Sequence, residues 1–183
     1  AASGVATRHL ARAGARRVGL IGAGVQAAEQ LAAICAVRPI AACAVFDLDR
    51  ARAVAFGAAA ADRLGLRAEA VSSARAAVEG ADVIVVATSS RTPVLEGRWL
   101  EPGQHVNAIG AHTPETREVD TEAIVRARVV ADSRAACLVE AGELLIPIRE
   151  GAVPPGAVQR PASMETAASD IPPTGRPRHP RAD

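Results

Sequence analysis

Hydrophobic and polar positions alternate along the chain in blocks that predict strands and helices in turn. Short runs rich in β-branched residues predict strands at residues 18–21, 43–46, 67–71, 82–88, 105–109 and 128–132. Segments with apolar positions three and four apart predict helices at residues 3–13, 24–37, 49–64, 73–79, 120–126 and 133–140. Strands alternating with helices over six units predict an α/β fold, a doubly wound parallel sheet.

Two helices and one strand carry the packing predictions. The first helix is expected to bury Val5, Ala6, Leu10 and Ala13. The helix after the first strand is expected to bury Val25, Ala28, Leu31, Ala32 and Cys35. The run at 82–88 is apolar without alternation, which is typical of a parallel strand covered on both faces.

A glycine turn joins the first strand to the second helix. Gly22 permits a tight turn, Gly24 lets a backbone approach a pyrophosphate closely, and Ala27 lets the helix pack against the strand. The free N–H groups at the start of that helix would face the phosphates. This spacing alone fits several nucleotides, S-adenosylmethionine among them.

An acidic residue narrows the choice of nucleotide. Asp47 ends the second strand about 25 residues after Gly22, near where a dinucleotide fold holds the adenosine ribose hydroxyls. A carboxylate repels a 2′-phosphate, so Asp47 favours NAD, although Arg50 and Arg52 could pair with the phosphate of NADP. The alternative role for Asp47 is to cap the next helix, which Asp49 could do instead.

Composition excludes several functions. The net charge is +1, with only two Phe, one Trp and no Tyr, which gives no case for binding nucleic acid. No apolar run approaches the ~20 residues of a membrane span. The three cysteines lack metal-ligand spacing and are expected to be buried thiols in a reducing, cytoplasmic compartment. All 21 basic residues are arginine, so a catalytic lysine would have to lie outside this segment.

The segments predict three parts. Residues 1–15 are expected to be a helix that connects to an N-terminal domain absent here, and residues 16–152 the dinucleotide-binding domain. Residues 153–183 are rich in proline and show no apolar period, which predicts a disordered tail. That tail is either a linker or aberrant sequence after a truncation.

Longer motifs carry a more specific signal than the glycines. They are IGAGVQ at 21–26, ATSSRTPV at 87–94 and VNAIGAHTPETREVD at 106–120, extended by DSR at 132–134 and EAGEL at 140–144. Together they resemble the ornithine cyclodeaminase/mu-crystallin family over roughly residues 1–151. The resemblance implies NAD(P)-dependent chemistry on amino or imino acids, in a protein that forms a homodimer when complete. The segments at 87–94 and 106–120 also make S-adenosylmethionine transfer a poor fit.

The resemblance also implies roles for individual residues. Those expected at the pyrophosphate are Gly22, Gly24, Val25 and Gln26. Asp47 would hold the ribose, Thr88 and Ser89 would line the cofactor cleft, and Ile109 and Gly110 would approach the nicotinamide.

The candidate catalytic residue is His112, which stands where cyclodeaminases carry an acid. A histidine there can still donate or accept a proton near neutral pH, but the change favours an imine reductase or amino-acid dehydrogenase over ornithine cyclisation. Thr116 stands where cyclodeaminases tend to be basic, which points the same way. The alternatives are that His112 only caps backbone groups, and that the chain is a non-catalytic dinucleotide-binding module that lacks its substrate domain.

Overall fold

The computed structural model describes residues 2–110 and 113–158. The strands are β1 (Arg17–Ile21), β2 (Ala42–Phe46), β3 (Arg67–Ala70), β4 (Val83–Val86) and β5 (His105–Ala108). The helices are α1 (Ala2–Leu10), α2 (Val25–Cys35), α3 (Arg50–Leu64), α4 (Ala74–Val78), α5 (Thr121–Arg126), α6 (Arg134–Glu140) and α7 (Gly142–Arg149). Short 3-10 helices cover Gly97–Trp99 and Pro155–Ala157.

The five described strands form one parallel sheet in the order β3-β2-β1-β4-β5. In its register, Leu20 of β1 lies between Val45 of β2 and Val85 of β4. Because β1 is central and the chain crosses over after β3, the predicted doubly wound α/β fold is confirmed. The carboxyl ends of all the strands meet at one edge, where such sheets bind their ligands.

Both faces of the sheet are buried. Val83 and Val85 of β4 pack with the cluster on the α1–α2–α3 side, whereas Ile84 and Val86 pack on the opposite side with α4 and α5. All four side chains are fully buried. The prediction that this run is covered on both faces is therefore confirmed, and the sheet gives the ligand edge a rigid base.

The predicted buried face of α1 is wrong. Ser3, Gly4 and Thr7 are buried, whereas Val5 and Leu10 are 42% and 40% exposed. Small residues face inward because α1 lies close against α2: a Cβ on Gly4 would come within 3.2 Å of the Ala33 Cβ.

The predicted face of α2 is also shifted. Ala27, Leu31 and Ile34 are its buried residues, and Val25 is 84% exposed. The 3.6-residue period that turns Ala27 toward the sheet points Val25 away from it. Val25 therefore lies in the first turn of the helix at the ligand edge, rather than in the core.

The sixth predicted strand is absent. Residues 128–132 contain a single bridge residue, Val130, and no strand. Ala131 is instead buried beside Leu144 and Val158, so the apolar residues of this segment pack among α6, α7 and the segment that follows. Residues 153–158 of the predicted tail are described, and Val158 among them is buried. Residues 159–183 lie outside the described residues.

Candidate functional site

The glycine turn leaves β1 between the ends of its two neighbouring strands. The Gly22 N–H donates to the Phe46 carbonyl at 2.8 Å, and the Ala87 N–H donates to the Ile21 carbonyl at 2.9 Å. Gly22 has a φ of +98°, and a Cβ there would lie 2.3 Å from the Ala87 oxygen. Glycine is therefore required at this position for the backbone conformation and for the close approach of β4.

Gly24 differs from Gly22 because nothing in the fold crowds it. It precedes α2 with a φ of −82°, and a Cβ there would meet no atom within 4 Å. Ala27 is fully buried, in agreement with its predicted packing role. The open space at Gly24, next to the exposed Val25 and Gln26 and the free N–H groups of the first turn of α2, can accept an anionic group.

Asp47 is tied directly to the glycine turn. Its Oδ2 accepts the Ala23 N–H at 2.9 Å, and its Oδ1 accepts the Asp49 N–H at 2.9 Å. Asp49 caps α3 by accepting the N–H groups of Ala51 and Arg52. This agrees with the expectation that Asp49 could cap this helix in place of Asp47. Arg52 lies 3.6 Å from Asp47 Oδ1. The carboxylate is thus at the ligand edge, free of the capping role.

The hydroxyl cluster and the end of β5 complete the edge. Thr88 Oγ1 accepts the Ser90 N–H at 3.0 Å, and Ser90 Oγ donates to the Thr92 carbonyl at 2.7 Å. Ser89 lies between Thr88 and Ser90, just after the end of β4. Ile109 continues β5 by donating its N–H to the Val86 carbonyl at 3.1 Å, which brings Gly110 to the same edge. Ala111 and the candidate catalytic His112 lie outside the described residues.

Two buried glutamates behind this edge were missed by the sequence analysis. Glu118 is fully buried, and its Oε1 accepts both the N–H (2.6 Å) and the hydroxyl of Thr88. Glu143, at the start of α7, accepts the Glu118 N–H at 3.1 Å. Both stand in motifs of the resemblance, but a carboxylate within such a motif gives no sign of burial by itself.

Burial raises the pKa values of both carboxyls. It raises the pKa of Glu118, against hydrogen bonds from Thr88 and the Gly110 backbone, and nearby Glu143 raises it further. Burial likewise raises the pKa of Glu143. Two neighbouring buried carboxyls with raised pKa values, behind the edge where such sheets bind ligands, are typical of functional sites.

The remaining candidate groups give no second site. Burial, with a smaller contribution from Cys35, raises the pKa of the Cys43 thiol to about 12, so this thiol is unreactive. Within residues 2–110 and 113–158, no cluster of three His, Cys, Asp or Glu side chains could hold a metal ion. Of the helices described, none has the length and apolar character needed to cross a membrane.

Comparisons with known proteins agree with this geometry. A profile of the ornithine cyclodeaminase/mu-crystallin family matches residues 1–163. A Delta(1)-pyrroline-2-carboxylate reductase from Bacillus cereus is 39% identical over 152 residues, which cover 82% of this chain and 46% of the relative.

Two solved structures share the fold. The Delta(1)-pyrroline-2-carboxylate reductase of Thermococcus litoralis, in complex with NADH and L-proline, superposes with a TM-score of 0.87 at 39% identity, covering 92% of this chain and 52% of that one. The iminosuccinate reductase of Paracoccus denitrificans, in complex with NAD⁺, gives a TM-score of 0.82 at 32% identity, covering 93% and 52%. The chain thus spans about half the length of these relatives.

Proposed function

Because this chain belongs to the ornithine cyclodeaminase/mu-crystallin family, we propose that it is the dinucleotide-binding part of an NAD-dependent oxidoreductase acting on imino or amino acids. The single observation that carries the proposal is the hydrogen bond that joins the glycine turn to the acidic residue at the end of β2. Asp47 accepts the Ala23 N–H at the point where Gly24 leaves open space before α2. The relatives reduce pyrroline-2-carboxylate and iminosuccinate, as their names state, and a small imino acid is the proposed substrate.

The residues present fit a dinucleotide. Gly22, Gly24, Val25 and Gln26 would lie at the pyrophosphate, with N–H groups of the first turn of α2 as donors, because the Gly22 N–H already bonds to Phe46. Asp47 would accept hydrogen bonds from the adenosine ribose. Thr88 and Ser89 would line the cleft, and Ile109 with Gly110 would lie against the nicotinamide, which supplies or accepts a hydride when bound. His112 would exchange the proton that accompanies hydride transfer. We further propose a cytoplasmic homodimer as the working form of the complete protein.

Asp47 supports NAD over NADP. A 2′-phosphate would have to lie beside a carboxylate already held in place by two backbone N–H groups. Arg52 does not reverse this preference, because it is 3.6 Å from that same carboxylate, which offsets its charge.

One observation favours a second function. The chain contains no lysine, a common acid–base and Schiff-base group, and it spans about half the length of its relatives. The second candidate is a module that binds the dinucleotide without turnover. A longer protein that contains this chain, incubated with NADH and pyrroline-2-carboxylate, separates the two, because only the first function oxidises NADH.

Binding of NADH, followed by fluorescence titration, tests the site itself. We expect Gly24→Thr to weaken NADH binding at least tenfold, because the added side chain fills the space needed by the pyrophosphate, while threonine can still cap α2. Gly14→Thr is the matched control, since a Cβ at Gly14 also meets nothing within 4 Å, and it should bind as the parent does. Equal binding by the parent and Gly24→Thr would refute the pyrophosphate assignment.

A further inference from the structure

We propose that Glu118 is a positioning residue that joins the carboxyl ends of β4 and β5 and thereby fixes the surface on which the nicotinamide rests. This inference rests on the proposed function. Glu118 lies on neither strand: it comes from the segment before α5, and its carboxyl reaches between Thr88, which follows β4, and Gly110, which follows β5. Both strand ends are bonded to the same fully buried group.

The hydrogen-bond donors around Glu118 indicate the protonation state of its carboxyl. Thr88 offers its N–H, and its hydroxyl oxygen already accepts the Ser90 N–H, so the hydroxyl proton is free to point at Glu118. Gly110 offers a backbone N–H. Both Thr88 donors meet at Oε1, and the Gly110 N–H faces the same carboxyl, which suits a carboxylate, because an ionised carboxylate only accepts. Among the described residues, the buried Oε2 has no hydrogen-bond partner.

Gly110 allows the contact. A Cβ at this position would lie 2.0 Å from Glu118 Oε2, so only glycine lets the β5 end come this close to the carboxylate. On the other side, Thr88 packs on the glycine turn, since a Cβ on Gly22 would be 3.1 Å from the Thr88 Cγ2. Glu118 therefore holds together the three chain segments that surround the proposed nicotinamide end of the cleft.

The backbone of Glu118 is itself held firmly. Its carbonyl accepts the N–H groups of Val94 (2.8 Å) and Leu95 (3.1 Å), and its N–H donates to Glu143. Glu143 is placed by α7, whose first residue, Gly142, lies so close to Thr116 that a Cβ would be 1.9 Å from the Thr116 oxygen. A carboxylate anchored from behind can orient the groups in front of it.

The test compares NADH with ADP-ribose, which has the adenosine, pyrophosphate and second ribose but no nicotinamide. Calorimetric titration would use the parent chain, Glu118→Gln, Glu118→Asp and the control Glu143→Gln. Glutamine removes the charge and, with its oxygen kept at Thr88, puts an NH₂ group where Oε2 lies against Gly110. Aspartate is one methylene too short to reach both strands. Glutamine at 143 keeps an oxygen for the Glu118 N–H. Thermal melts measure the folded fraction of each variant.

We expect Glu118→Gln and Glu118→Asp to weaken NADH binding at least tenfold and to leave ADP-ribose binding within twofold, with Glu143→Gln near the parent for both ligands. If the Glu118 variants weaken the binding of NADH and ADP-ribose equally, or weaken neither, the positioning role is overturned and the proposed function stays intact. If the folded parent binds neither NADH nor ADP-ribose, the proposed function fails and the inference with it.

Discussion

Replacing Gly22 by alanine should destabilise the fold, whereas replacing Gly24 should affect ligand binding alone. The two glycines stand two residues apart in one turn, but only Gly22 has a positive φ, +98°, and only its Cβ would meet other atoms, the closest being the Ala87 oxygen at 2.3 Å. Relaxation is restricted because backbone hydrogen bonds hold the turn to β2 on one side and β4 on the other.

The magnitude follows from two contributions. A left-handed backbone costs an L-residue about 1–2 kcal/mol, and overpacking in a rigid surrounding costs about 1–3 kcal/mol. The free energy of unfolding should therefore fall by about 2–5 kcal/mol, a large part of the roughly 5–15 kcal/mol typical of a domain. For a chain of this size that lowers the Tm by roughly 4–20 °C.

Urea denaturation followed by circular dichroism measures this change, with Gly24→Thr as the control. We expect the control to stay within about 0.5 kcal/mol of the parent, as substitutions away from packed or strained positions do, while it loses NADH. A Gly22→Ala protein within that same range would show that the turn is not confined as described.

Three further changes test other parts of the structure. Asp47→Asn should reduce the preference for NADH over NADPH at least tenfold in fluorescence titration, because it removes the charge that repels a 2′-phosphate; an unchanged ratio would contradict the role of Asp47. Glu143 has a folded pKa raised above 4.5, mainly by burial, so its contribution to stability falls as the pH rises through that pKa. In the parent, the urea concentration at half-unfolding should therefore decline from pH 4.5 upward, and Glu143→Gln should make that decline shallower. The same decline in the variant and the parent would contradict the burial of this charge. Burial acts to raise the Asp82 pKa, but the N–H groups of Arg16 and Arg17 and the Arg12 guanidinium together hold it below 3.8. Asp82→Ala should therefore lower the free energy of unfolding by about 1–3 kcal/mol at pH 7 and by much less near pH 3. An equal loss at both pH values would refute the stabilising role of the ionised carboxylate.

Local sequence predicted those features of the fold that depend on neighbouring residues. Ser73, Asp120 and Ser133 cap α4, α5 and α6 where the sequence placed the starts of those helices, because a cap is chosen within three residues. Gly65, with a φ of +65°, follows the last residue of α3, so this helix ends at residue 64 as its predicted range does. The family was confirmed for the same reason, since its motifs are short and contiguous.

Features that depend on distant contacts were not predicted. The buried face of α1 follows from its close packing on α2, which selects Gly4 and Thr7 over the larger apolar residues. Glu118 bonds to Thr88 across 30 residues and to Glu143 across 25. In the sequence Glu118 stands between Arg117 and Val119, and no local apolar period indicates that it is fully buried.

Asp47 shows how one residue can serve both the fold and the proposed ligand. A carboxylate offers about four acceptor positions, and the described contacts to backbone N–H groups, from Ala23 and Asp49, use two of them. The other two could accept a pair of ribose hydroxyls in the proposed complex, so the carboxylate would be oriented before a dinucleotide arrives and would keep both backbone bonds. Preorganisation of this kind lowers the ordering cost of binding. It also means that Asp47 variants should lose both stability and affinity, whereas Gly24 variants should lose affinity alone.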